Sequence, residues 1–363
     1  MASVQAPARA RALDDAIHAI PSAWFRPSPT IYWIDLAASA GIGWSAFALA
    51  VAARGWSRLA LLAVATAALY RAVLFIHEIT HLNGRDVPLF KAAWNAVVGV
   101  PLLIPSFLYE GVHTDHHRQR SYGTAGDPEY VPYGRRRPAV ILASAAVSLL
   151  APIMLAVRFG VLAPVAWVVP AAARAIHARA SALVINPRYV RQAPFDRSAR
   201  LEEGATCLVF WIVAVSAWSG RLPAAVAGTW AVAMSAASFV NAVRTLAAHR
   251  YDHDAGALTM VEQLLDSCTI APGGGVRAAV VGAIRALVAP VGLRYHALHH
   301  WIPSLPYHNL GRAHRCLVRA IGRDAPYRAT ISTAFTPVLR DLIRRSRTRG
   351  HVAIRSRTNA DTV

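Results

Sequence analysis

The chain has 363 residues, 55% of them hydrophobic and 16% charged, with a mean hydropathy of +0.35. A soluble chain carries about a quarter charged residues, so this composition excludes an ordinary soluble fold and points to an integral membrane protein. The formal charge of +19 comes from arginines flanking apolar blocks, with Lys91 the one lysine; that marks loops on the cytoplasmic side of a membrane and excludes a nucleic-acid partner, which needs a basic face with aromatic platforms.

Residues 1–30 hold Arg9, Arg11, Asp14 and Asp15 but no apolar core of a signal peptide, so the first span is expected to direct insertion. Residues 31–53 form that span, long enough as helix for a bilayer core. After a short turn, 59–76 runs back and delivers "FIHEITH" to the membrane face, and Asn83-Gly84 is the expected helix stop. Residues 91–108 are apolar but carry Pro101 and Pro105, which predicts a kinked or shallow segment. "HTDHH" follows, then a polar, basic loop with "GTAGDPEY" and "PYGRRRP".

Residues 140–170 are apolar again, interrupted by Pro152, Arg158 and Pro164, which predicts a re-entrant pair or two interfacial helices rather than one continuous span. The arginine-rich stretch 171–203 reads as a cytoplasmic loop. Residues 205–219 and 224–243 form a second tight hairpin around Gly220-Arg221-Leu222-Pro223. Residues 278–291 are too short and too arginine-interrupted for a span, and "HALHH" follows them. The expected architecture is an all-α integral membrane protein: two transmembrane hairpins, interfacial or re-entrant helices and a cytoplasmic histidine-rich cap. Its parts are an N-terminal segment at 1–30, one catalytic domain at 31–320, and a basic tail at 321–363 that is mobile from Arg344 onward. The expected location is the cell inner membrane, with every histidine cluster on the cytoplasmic side.

Three cysteines without paired spacing imply neither disulfides nor a thiolate metal site. The histidines carry the signal. His77 and His81 lie one helical turn apart; His113, His116 and His117 are spaced i, i+3, i+4, as are His296, His299 and His300, so each triplet offers imidazoles to two adjacent metal positions. Fifteen histidines in 363 residues give a chance expectation of about 0.025 for one HxxHH, so two of them plus HxxxH are not coincidence. Isolated histidines such as His18, His177, His314 and His351 read as surface or hydrogen-bonded core side chains. HEITH alone would suggest a zinc protease with Glu78 as base, but eight or nine imidazoles exceed one tetrahedral zinc. Two metals with four or five nitrogens each fit the count, and iron is the metal that commonly attacks unactivated C–H bonds. Glu78 and Asp115 then read as carboxylates orienting imidazoles.

These boxes, with "YGTAGDPEY", "RTLAAHRY" and "APVGLRYHALHHWIPSLPYHNL", resemble the membrane fatty-acid desaturase family over roughly residues 30 to 320. The resemblance implies a di-iron centre held by His77, His81, His113, His116, His117, His296, His299 and His300. It adds a further histidine after the last span, His249 first and His253 second; some members carry an asparagine one turn earlier, where this chain has Thr245. It implies an O2-dependent desaturase acting on a lipid acyl chain or acyl thioester, with lipid or carotenoid hydroxylation or ketolation as the alternative. The chain has no HPGG haem motif, flavin fingerprint or iron–sulfur cysteine set. A separate ferredoxin or cytochrome b5-type donor is therefore expected to supply electrons.

Overall fold

Pro29, with φ pre-set for a first helical turn, opens the membrane-length helix α1 (Pro29–Ala52), and Gly55 at φ +57° turns the chain into α2 (Gly55–Val73). The two pack closely because Gly43 has no side chain to collide with Leu69. Asp35 of α1 accepts two hydrogen bonds from Arg71 of α2, one from Nε at 2.9 Å. One break at Leu74 leads into α3 (Phe75–His81), which ends before Asn83-Gly84 as expected. Helix α4 (Phe90–Trp94) passes into a π-helical turn at Asn95–Gly99 and then stops. The Asn95 side chain closes the proline-containing turn that follows, accepting from the Ser106 N–H at 2.8 Å and donating to the Ser106 hydroxyl at 2.9 Å. Helix α5 (Val112–His117) carries the second histidine cluster.

A helical run of 31 residues follows, α6 (Pro138–Val168). Here the expected re-entrant pair gives way to one uninterrupted run. Pro152 falls just after a 3-10 turn at Ser148–Leu150, and Pro164 just after a π-helical turn at Arg158–Leu162. These changes of winding accommodate the backbone bonds that proline cannot make. The stretch read as a cytoplasmic loop contains helix α7 (Pro170–Arg179) and, from Arg197, the start of α8 (Arg197–Trp218), which Asp196 caps by accepting from the Ala199 N–H at 2.9 Å. Helix α9 (Ala224–Leu246) is the last apolar one. Among the described residues, five stretches are long and apolar enough to cross a membrane: α1, Gly55–His81, α6, α8 and α9.

Beyond them lie α10 (Met260–Asp266), β1 (Thr269–Ile270), α11 (Arg277–Val288), α12 (His296–Trp301), α13 (Tyr307–Ala320), β2 (Ile331–Ser332) and α14 (Phe335–Thr358). The computed structural model describes residues 15–254, 256–271 and 277–358, so 1–14 of the expected N-terminal segment and 359–363 of the tail lie outside them.

The chain divides into two compact units. One comprises Ser28–Thr114 and Ala146–Val240; the other comprises Met1–Pro27, Asp115–Ala145 and Asn241–Val363. The first, here the membrane unit, holds most of the apolar helices. Its interior has a buried ion pair between Arg158 and Glu203; Trp167 also donates to Glu203, at 2.9 Å.

The second, here the cap unit, is built on a core of Leu298, Trp301, Leu310, Leu317 and Tyr327. Strands β1 and β2 pair in parallel, Thr269 opposite Ile331. At the start of the tail, where mobility is expected from Arg344, the chain is helical: Arg345 pairs with Asp252 at 3.1 Å and Asp341 at 2.9 Å, and the buried Ser346 donates to the Arg136 carbonyl at 2.5 Å. Arg345 also donates to the Arg250 carbonyl at 2.7 Å, so two acceptors on one other segment, besides Asp341 of its own helix, offset the cost of ordering that arginine.

Candidate metal centre

In the membrane unit, α3 places His77 and His81 on one face and α5 brings His113 to them. The ring centroids lie 5.1 Å (His77–His81), 4.5 Å (His77–His113) and 5.0 Å (His81–His113) apart. Each ring offers a nitrogen within 4.8 Å of the others. Gly111 precedes α5 at φ +75°, and an added Cβ there would overlap Ala193, so only glycine turns the chain into this helix without strain. The Tyr109 hydroxyl lies 2.9 Å from His113 Nδ1 and fixes that ring. Glu78 accepts from the Tyr32 hydroxyl at 2.6 Å, and its other oxygen lies 3.5 Å from His77 Nδ1.

In the cap unit, His116, His249, His296 and His300 bring one ring nitrogen each within 4.8 Å of all the others. The backbone sets two of them. Cys268 donates to the Ala248 carbonyl at 2.7 Å, Arg250 to the Asp266 carbonyl at 2.6 Å, and Ala297 to the Cys268 carbonyl at 3.1 Å. His249 and His296 are thereby fixed to one frame. His296 Nε2 lies 2.8 Å from His249 Nε2 and 3.1 Å from His300 Nε2. His117 and His299 form a second pair in this unit, with their Nε2 atoms 3.0 Å apart. His253, the second choice after His249, turns its Nε2 to the Gly256 carbonyl at 3.1 Å. Thr245, one turn before His249, donates its hydroxyl to the Asn241 carbonyl at 2.8 Å.

The outer nitrogens of two cap imidazoles meet groups that the sequence reading did not single out. His116 Nδ1 donates to Asp127 at 2.8 Å, both fully buried. His249 Nδ1 lies 2.7 Å from the Tyr122 hydroxyl, which donates to Asp266 at 2.9 Å; Tyr130 donates to the other oxygen of Asp266 at 3.1 Å. Asp127 is itself held by the N–H groups of Gly123 and Glu129, each at 2.9 Å. With Nδ1 carrying the proton, both Nε2 lone pairs face the cluster. Asp115, the expected orienting carboxylate, is buried and carries Arg118 at 2.5 Å. The one available signal for Asp127 was its place in the polar loop after the second box, and nothing in its spacing marks it as a partner of His116.

The electrostatics suit neutral ligands. Burial pushes the His300 pKa well down, and His117, His296, His116 and His249 push it further. Burial also lowers that of His249, against the pull of Asp266. Burial opposes protonation of His116 too, but Asp127 outweighs it and raises the pKa, so positive charge, as proton or metal, is favoured there. Two ligands bound at ~2.1 Å and at right angles sit about 3 Å apart, which is the separation of these Nε2 atoms. The donor set therefore fits a metal held by nitrogen.

Residues 54–331 match the family described as fatty acid desaturase. The chain belongs to the fatty acid desaturase family. It is 39% identical over 324 residues to a ceramide hydroxylase of Caulobacter vibrioides (strain NA1000 / CB15N), an alignment covering 88% of this chain and 90% of that protein. No solved structure matches. As a member of that family the chain is a membrane-embedded oxidoreductase, and its histidine clusters are groups that could hold a metal. His314, by contrast, donates to or accepts from Tyr327 at 2.7 Å within the core, and His177 stacks on Phe195, so neither joins a cluster. The His351 side chain lies outside the described residues.

Proposed function

We propose that this desaturase-family protein is an O2-dependent di-iron hydroxylase acting on a ceramide. The observation that carries this reading is the 39% identity to a ceramide hydroxylase along 88% of the chain, joined to nitrogen-only clusters that suit a redox metal. His77, His81 and His113 would be ligands to one iron, His116, His249, His296 and His300 would hold the other, and His117 and His299 are further candidate ligands. When bound, the iron pair supplies dioxygen activation and attack on an unactivated C–H bond. The chain's own residues keep the ligands oriented. Asp127 and the Tyr122–Asp266 pair hold the Nδ1 protons of His116 and His249, and Tyr109 fixes His113. Burial of these imidazoles excludes water that would quench reactive oxygen species.

Topology supports the two-hairpin reading. Three of the five apolar stretches, α6, α8 and α9, lie between His116 and His249 in sequence. Those rings are 5.2 Å apart within the cap unit, so an even number of crossings separates them. Hairpins α1–α2 and α8–α9 cross, and α6, with the charged Arg158 at its π-helical turn, does not. All clusters then share one side, taken as the cytoplasmic side of the inner membrane, within reach of a soluble electron donor.

Desaturation is the second reading, favoured by the family's own description, because the same ligands serve both outcomes and substrate placement decides between them. The test is incubation of the purified enzyme with a long-chain ceramide, a reduced donor and oxygen-18 gas. Gain of one labelled oxygen is expected. Loss of two hydrogens without label would instead establish desaturation, and a zinc-bound protein with no lipid product would overturn both.

A further inference from the structure

Helix α13 separates its residues by chemistry. Leu310, Ala313, His314 and Leu317 point into the cap core, while Arg312, Arg315 and Arg319, spaced i, i+3 and i+7, share the opposite, exposed face. None of the three pairs with a carboxylate among the described residues. With Trp24, Cys316 and Ala320 they line a groove of about 570 Å³. The groove is built rather than incidental. Asn309 donates to the Trp24 carbonyl at 2.8 Å and Cys316 to the Ala19 carbonyl at 3.2 Å, so the segment bearing Trp24 is tied to the helix at two points.

We propose that this groove docks the acidic face of the one-electron carrier protein that reduces the enzyme. The inference rests on the oxidase reading above. Hydroxylation balances as a C–H substrate plus O2, two electrons and two protons giving the alcohol and water, so two reduced carriers must dock per turnover. Three arginines without carboxylate partners among the described residues attract an acidic surface and speed its encounter.

The position favours delivery to the histidines. His314, on the buried side of α13, meets the Tyr327 hydroxyl at 2.7 Å, the Tyr327 and Trp301 rings lie 5.5 Å apart, and Trp301 directly follows His300 in α12. A protein partner fits this face better than a bilayer does. Membrane-binding basic helices add large exposed apolar side chains, and α13 exposes none.

The test uses the full chain with iron bound, in detergent, and two reduced probes: an acidic [2Fe–2S] ferredoxin and a soluble cytochrome b5 haem domain. In the triple variant R312E/R315E/R319E, kcat/KM for whichever carrier supports turnover should fall about ten-fold or more, and its salt dependence should flatten. The charge-keeping variant R312K/R315K/R319K should stay near wild type. Single-turnover product from chemically reduced enzyme exposed to O2 should be unchanged in both. An unchanged kcat/KM in the glutamate variant, or carrier-independent loss of anionic-vesicle binding in its place, would overturn the docking assignment. So would single-turnover product from a wild type that uses neither carrier. Absence of single-turnover product from wild type would instead overturn the oxidase reading and the docking assignment with it.

Discussion

His116 and Asp127 are eleven residues apart and fully buried against each other. That contact converts a flexible imidazole into an oriented ligand. Removing such an outer partner typically costs about 10–100-fold in metal affinity or activity. Asp127→Asn should accordingly lower iron retention by that order, measured as metal bound after dialysis against a chelator, while the protein remains folded. The box histidines were legible in the sequence because helical spacing alone puts them on shared faces. Asp127, Tyr122 and Asp266 were not, because they reach the imidazoles through loops whose course no periodicity fixes.

His314 gives a pH signature at the same scale. Burial, with Arg315 and Arg294 nearby, lowers its pKa to about 4, against roughly 6.5 in an unfolded chain. Between those values the unfolded state binds the extra proton, so stability is full above pH ~6.5 and is lost as pH falls toward 4. The stability difference between wild type and His314→Gln should therefore move against wild type by up to about 3 kcal/mol across that window. Thermal unfolding at graded pH measures it, and a difference that stays constant with pH would refute the assignment.

Among the elements, α6 departs furthest from what its sequence suggests. Prolines and a buried arginine argue for interruption, yet a 3-10 turn and a π-helical turn carry the run past them. The energetic anchor is distant in sequence: Arg158 donates to Glu203 on α8 and, at 2.8 Å, to the Ser181 hydroxyl. No local pattern in residues 138–168 announces that partner, which is why the run reads as broken from the sequence alone. Breaking a buried pair by removing one partner costs about 3–5 kcal/mol, whereas replacing both by apolar residues costs far less. Glu203→Leu should therefore lower the thermal midpoint in detergent markedly, and Arg158→Leu combined with Glu203→Leu should recover much of the loss. A double variant as unstable as the single one would count against this pairing as the anchor. Helices α1, α2, α8 and α9 were easier to read, because they are long, apolar and bounded by short turns with glycine, serine and arginine.

For the whole molecule, crossing parity makes a prediction about sidedness. Ser57, exposed at the start of α2, and Ser219, exposed in the turn after α8, should react from outside the cell with an impermeant thiol reagent once changed to cysteine. A cysteine at Ser121 in the loop after the second histidine box should react only after permeabilisation. Labelling of all three from one side would refute the two-hairpin arrangement.

The central claim is that the clustered imidazoles are ligands for two irons. Metal analysis of the purified chain, paired with Mössbauer spectroscopy, tests it most directly. The account predicts about two irons per chain with the signature of a coupled nitrogen-ligated pair, reduced in His116→Ala and in His299→Ala although both variants still insert into membranes. One zinc per chain with no iron, or full iron content and full product formation in either variant, would contradict it.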